Sequence, residues 1–192
     1  MKKLKGVLIL SAALVFLGGC VVGSIYPYYR TQDLVYDPSL VGKWVHPGST
    51  NEDDDGPEFK QFGTNSYMMP VDSDKSSTNY AWIHLFEIDG RRFLDGRLTN
   101  DVMYHTPEHY VWRIKKSQST LEAALLNMEW LESLLKTNPQ ALRHTIVEDN
   151  PNDGSSKRIV LTADTAELQK FILKYADDTN AFNLEKFEKK AD

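Results

Sequence analysis

Between residues 59 and 116, apolar and polar side chains alternate with the two-residue period of β-strands, and turn-forming residues separate the runs. Residues 59–62 and 66–70 flank Gly63-Thr64-Asn65, which predicts a hairpin; the polar run 72–78 predicts a loop. Residues 79–88 and 91–98 flank Asp89-Gly90, a pair that tolerates the positive φ angles of a two-residue turn whose twist matches the strands it joins. Along 79–88, Tyr80, Trp82, His84, Phe86 and Ile88 fall on one face and Ala81, Ile83 and Leu85 on the other. Both faces are largely apolar, which predicts a central strand covered on two sides. Upstream, residues 40–46 read as a strand in which Gly42 allows close backbone approach and Trp44 offers a large core anchor.

The period changes after residue 116. Leu121, Ala124, Leu125, Met128, Leu131, Leu134 and Leu135 follow helical spacing over 119–136, and Ser119-Thr120-Leu121-Glu122 fits a capping box, so one long helix is a first reading. A second reading takes 116–119 as a hairpin turn, 120–126 as a strand and Asn127 as the cap of a shorter helix ending before Pro139. The second is preferred, with Trp130 packing helix to sheet. Two short strands, 142–147 and 158–161, surround the turn-rich 150–154. Asp164-Thr165-Ala166-Glu167 then opens a helix whose stripe is Leu168, Phe171, Ile172 and Tyr175. The end, 182–192, is expected to dock as a short helix or to fray. The fold class expected is α+β: an antiparallel curved sheet or incomplete β-barrel of about eight strands, with two late helices packed on it.

The N-terminus carries Lys2, Lys3 and Lys5, then an apolar run over 7–17, then Gly18-Gly19-Cys20. A spanning helix needs about 20 apolar residues, so this run reads as the core of a secretory signal. Leu17-Gly18-Gly19-Cys20 resembles the lipobox of bacterial lipoproteins. The resemblance implies that residues 1–19 are a signal peptide, that Cys20 becomes an acylated first residue, and that the protein is membrane-anchored in the cell envelope. Val21, in place of the aspartate that retains such proteins at the inner membrane, favours the outer membrane. Residues 20–39 are then a lipidated tether, with tyrosines either at the membrane–water boundary or packed on the body as an ordered arm. Residues 40–192 form a single globular domain. Its order of elements resembles small uncharacterised lipoproteins of Gram-negative bacteria.

Composition sharpens this picture. The chain of 192 residues has 22 basic and 27 acidic side chains; loss of the three signal lysines leaves a mature charge of −8, which opposes nucleic-acid binding. Cys20 is the sole cysteine, so the body has no disulfide and rests on packing.

Candidate chemistry is sparse. Gly42-Lys43-Trp44 is similar to the Gly-x-Trp opening of lipocalins, which implies a barrel holding a small apolar ligand; the helix near Trp130 departs from their nearly uninterrupted run of eight strands. On that resemblance Trp44, Trp82, His84 and Phe86 are the candidate ligand-facing residues, although His84 among aromatics reads first as a hydrogen-bonded core histidine. Asn51-x-Asp53-x-Asp55-Gly56 matches half of a calcium loop, but Phe62 stands where the bidentate glutamate belongs, leaving a solvated acidic loop. His105-x-x-Glu108-His109 spells a zinc-peptidase pattern, yet that chemistry needs a helix, and Pro107 followed by alternation predicts a loop entering a strand. No nucleophile elbow, phosphate loop or dinucleotide fingerprint occurs. The expectation is an envelope lipoprotein that is not an enzyme, with no metal and no cofactor, binding a small apolar ligand or another envelope protein. The alternative is a metal-dependent or carboxylate-based hydrolase of the periplasm.

Overall fold

The computed structural model describes residues 22–50, 54, 56–71, 79–99, 108–148 and 157–190. Cys20 and the signal segment, residues 51–53 and 55 of the acidic loop, the loop 72–78, residues 105–107 and the turn at 150–154 lie outside the described residues. The strands are β1 (Gly23–Ser24), β2 (Gly42–Val45), β3 (Glu58–Phe62), β4 (Ser66–Pro70), β5 (Tyr80–Ile88), β6 (Arg91–Leu98), β7 (His109–Lys116), β8 (Thr120–Leu126), β9 (His144–Glu148), β10 (Lys157–Leu161) and β11 (Phe182–Lys189). Helix α1 (Met128–Thr137) follows β8, and α2 (Thr165–Tyr175) follows β10.

Strands β2 to β8 form an antiparallel meander. The chain then leaves the sheet for α1, β9, β10 and α2, and returns as β11, which pairs antiparallel with β8 on one edge and β2 on the other. Eight strands thereby close into a barrel, and closure removes the free edges that an incomplete barrel would expose. The fold is α+β and mostly β. The C-terminal segment, expected to be a short helix or to fray, is the strand that shuts the barrel. Its sequence lacks a period of two because Phe187 and Lys189 share one face while Phe182 and Leu184 share the other, and only pairing with β8 and β2 makes it extended.

Local chemistry fixes the other elements as expected. Asp89 and Gly90 have φ of 49° and 71°, the two-residue turn that aligns Trp82 with Arg97 and His84 with Asp95. The Asn127 side chain accepts the Trp130 N–H at 3.2 Å and starts α1, so 119–136 is strand plus helix. Asp164 accepts from Glu167 N at 3.0 Å and starts α2. Trp130 packs on the core between helices and sheet, with the rings of Phe171 and Tyr175 of α2 at centroid distances of 6.1 and 4.8 Å.

The barrel interior receives an apolar side chain from each strand: Trp44, Phe59, Tyr67, Ile83, Leu94, Ile114, Leu121 and Phe187. Gly96 makes room for Trp112 within this layer, since a Cβ there would lie 2.8 Å from Trp112 Cζ3 and 3.0 Å from Ile83 Cδ1. Gly96→Val is therefore expected to cost about 1–3 kcal/mol by overpacking. Urea denaturation checks this, and the double variant with Trp112→Ala should recover part of the loss.

A second core lies outside the barrel. Phe86, Phe93, Val111, Leu126 and Phe182 turn outward and are covered by Leu131 and Leu135 of α1, Leu168, Phe171 and Ile172 of α2, and the N-terminal segment. That segment, residues 22–40, is an ordered arm. Its β1 runs parallel to β10 and meets β7 at Ser24↔His109, where β8 has already ended at Leu126 and turned into α1. Further along, Leu34 bridges Phe86, and Val35 N–H donates to Leu85 O at 3.0 Å, beyond the end of the β4–β5 pairing at Ile83. The arm thus takes up backbone edges at two places where a barrel strand outlasts its neighbour, and between them it crosses the outer face of β6. Of the two placements open to the tyrosines, the packed one holds here: Tyr28 is fully buried and Tyr36 stacks on Tyr67 at 5.2 Å, while Tyr26 remains 46% exposed.

Candidate functional site

Where the arm crosses β6, the outward-facing Asp95 lies underneath it with no exposure. A buried carboxylate must be fully hydrogen-bonded. Asp95 Oδ2 accepts the Tyr28 N–H at 2.9 Å, and Oδ1 lies 2.8 Å from His109 Nδ1. From the other side, Gln169 of α2 donates to Tyr28 O at 3.0 Å and to Asp33 Oδ2 at 2.7 Å, and Thr165 Oγ1 donates to Pro27 O at 2.7 Å. The arm is clamped between β6 and α2. The Tyr28 hydroxyl is buried among these groups without a partner among the described residues; burial and then the neighbouring Asp95 push its pKa up.

Asp95 and His109 together have the form of a carboxylate orienting an imidazole, but here both serve the clamp. Glu108, the other member of the zinc-like pattern within the described residues, forms an ion pair with Arg158, and a Cβ on Gly23 would collide with its carboxylate. His109 opens β7, in accord with a loop entering a strand. No group of three metal-ligating side chains occurs among the described residues. Asp54, beside the calcium-like half motif, is buried and accepts the N–H groups of Gly56 at 2.9 Å and His46 at 3.2 Å, fastening the loop after β2.

Beyond the arm, the same outer wall is open. His84 is half-buried and lies against Tyr29, with centroids 4.7 Å apart. Trp82 carries the Arg97 guanidinium 4.7 Å from its ring centroid on one side and stacks with Phe62 at 6.2 Å and 12°. Phe62 is 46% exposed, and among the described residues no carboxylate pairs with Arg97. A flat aromatic surface with a cation held against it suits a partner that offers an apolar ring or chain beside a carboxylate.

The four candidate ligand-facing residues are therefore not brought together. Trp44 is inside the barrel, fully buried, its Nε1 donating to Leu40 O at 2.9 Å and its ring faced by the Lys189 ammonium at 5.4 Å. Trp82, His84 and Phe86 point out of the barrel, and Phe86 is buried beneath the arm and helices. Phe62, Arg97 and Asp95 escaped the sequence reading. The turn at Asp89-Gly90 holds the signal for two of them, because a two-residue hairpin dictates that Arg97 faces Trp82 and Asp95 faces His84; Phe62 is brought in by pairing across β4.

The His84 imidazole is pulled below its ordinary value, first by burial and then by His109 and Arg97, against an opposing effect of Asp95. The unfolded chain then takes up this proton more readily than the folded one. The contribution to stability is complete above the unfolded value of about 6.5 and is lost as pH falls below it. Denaturant midpoints compared at neutral and mildly acidic pH should show a decline that His84→Gln reduces.

At the β6–β7 end of the barrel, Met69, Ala81, Leu98, Tyr110 and Trp112 line a cavity of about 20 Å³, room for about one water molecule. No helix among the described residues is long and apolar enough to cross a membrane. The fold and site define a small antiparallel eight-stranded barrel, filled within and strapped without by its own N-terminal arm. No family model, curated protein or solved structure matches this chain.

Proposed function

We propose that this chain is an envelope lipoprotein, anchored at the outer membrane through an acylated Cys20, that acts as a non-catalytic docking module for another envelope protein. One contrast carries the reading: aromatic side chains fill the barrel, while Phe62, Trp82 and Arg97 form an accessible platform on its wall. A lipocalin-like barrel holding an apolar ligand calls for a pocket on the order of 300 Å³ or more, against about 20 Å³ at the lined end. The hydrolase alternative has the Asp95–His109 pair in its favour, but that pair is engaged in holding the arm.

A photo-crosslinking residue in place of Phe62, in the full chain in cells, is expected to give one discrete protein adduct that Trp82→Ala or Arg97→Ala abolishes. The same residue in place of the exposed Glu132 on α1 should give none. Equal labelling from both positions would overturn the docking reading. A small-molecule adduct in the native mass of the domain from residue 21 onward would replace it with ligand holding. For the anchor, Cys20→Ser should leave a folded but unprocessed or mislocalised protein, and recovery of that variant as processed, acylated material would remove the lipidation.

A further inference from the structure

The arm sets a short distance between the anchor position and the body. Val22 is 2% exposed and belongs to the outer core, and β1 begins at the next residue, held by β10 and β7. Cys20 precedes Val22 by two residues, a reach of about 7 Å at full extension. A body so held cannot tumble freely above a bilayer as it would on a long tether.

The pairing register shows what lies level with that point. Gly23↔Val160 places Val22 beside Ile159, and Ile159 pairs with Ile146. Strands are spaced by about 4.8 Å, so Ile146 is about 10 Å from Val22 across the sheet. Val22 and Ile159 are buried, yet Ile146, on the outermost strand β9, is 59% exposed, the highest value among the large apolar side chains of the described residues. An apolar row therefore runs from the anchor's attachment point outward and ends in an uncovered isoleucine.

We propose that the β1–β10–β9 extension rests on the bilayer surface, with Ile146 at the membrane–water interface. The occupant is a lipid surface because the chain between Val22 and the acylated cysteine is too short to place this face elsewhere. The proposal rests on acylation at Cys20.

The test uses the lipidated full chain in phosphatidylethanolamine–phosphatidylglycerol vesicles. The native thiol is blocked by its acyl chain, so Ile146→Cys provides a single site for a spin label. Relative accessibility to oxygen over a water-soluble nickel chelate should rise several-fold at position 146 when the lipidated form is compared with the unlipidated domain. A flexible ten-residue linker inserted between residues 21 and 22 should abolish the rise while the protein still floats with the vesicles. Flotation with no change at position 146 overturns the orientation and leaves lipidation intact. Failure to float, with no acyl mass on residue 20, overturns both and is a separate readout.

Discussion

Trp44→Ala is expected to destabilise the domain by about 3–5 kcal/mol, as does removal of other fully buried large aromatics, a substantial fraction of the roughly 5–15 kcal/mol available to a domain. Three losses combine. The indole fills the barrel next to Leu40 and Phe187 in the same core, so its removal leaves a cavity. Its N–H leaves the Leu40 carbonyl, which accepts at 2.9 Å in the native chain, without that partner. The ammonium groups of Lys189 and Lys116, 5.4 and 6.0 Å from the ring, lose its face. Trp44→Phe retains most of the apolar volume and loses chiefly the hydrogen bond, so a smaller cost of about 1–3 kcal/mol is expected. Urea unfolding of both variants measures the order, and a cost below about 1 kcal/mol for the alanine variant would contradict a filled barrel.

Asp95→Ala is expected to cost about 1–3 kcal/mol for each of the two groups it leaves without a hydrogen-bond partner. It leaves the Tyr28 N–H and the His109 ring without the oxygens that hold them at 2.9 and 2.8 Å. The damage should concentrate on the arm: hydrogen exchange at the Tyr28 amide should accelerate, and proteolysis within residues 22–40 should appear before the barrel unfolds. Asp95→Asn keeps an acceptor and the side-chain volume and should cost less. A double-mutant cycle of Asp95→Ala with His109→Ala isolates the pair; additive losses would mean that the two groups serve the arm independently.

The two predictions concern residues of unequal visibility in the sequence. Trp44 announces itself as a large aromatic in an alternating strand. Asp95 lies in an ordinary polar position of β6, and its burial results from an arm about 70 residues earlier in the chain that crosses over it. The candidate site divides in the same way. The face shared by Trp82, His84 and Phe86 follows from the period of two, and the Asp89-Gly90 turn already pairs two of these residues with Arg97 and Asp95. Which face of β5 points into the barrel does not follow, because Ala81, Ile83 and Leu85 on one side are as apolar as their neighbours on the other. Closure decides it, putting Trp44 within the barrel and the other three candidates outside.

By itself the sequence determined the strands from β2 to β8, the hairpins at 63–65 and 116–119, the tight turn at Asp89-Gly90, the caps at Asn127 and Asp164 and the α+β character. These depend on residues within a few positions of one another, where period, turn conformation and side-chain capping act directly. The tertiary structure alone decided that β11 closes the barrel, that residues 22–40 strap its wall, and that Phe62 stacks on Trp82. Each of these joins distant segments, as in Phe187↔Leu121 or Ser24↔His109. The hydrogen bonds and buried surface that stabilise such contacts come into existence only when the segments meet, so no local pattern along the chain encodes them.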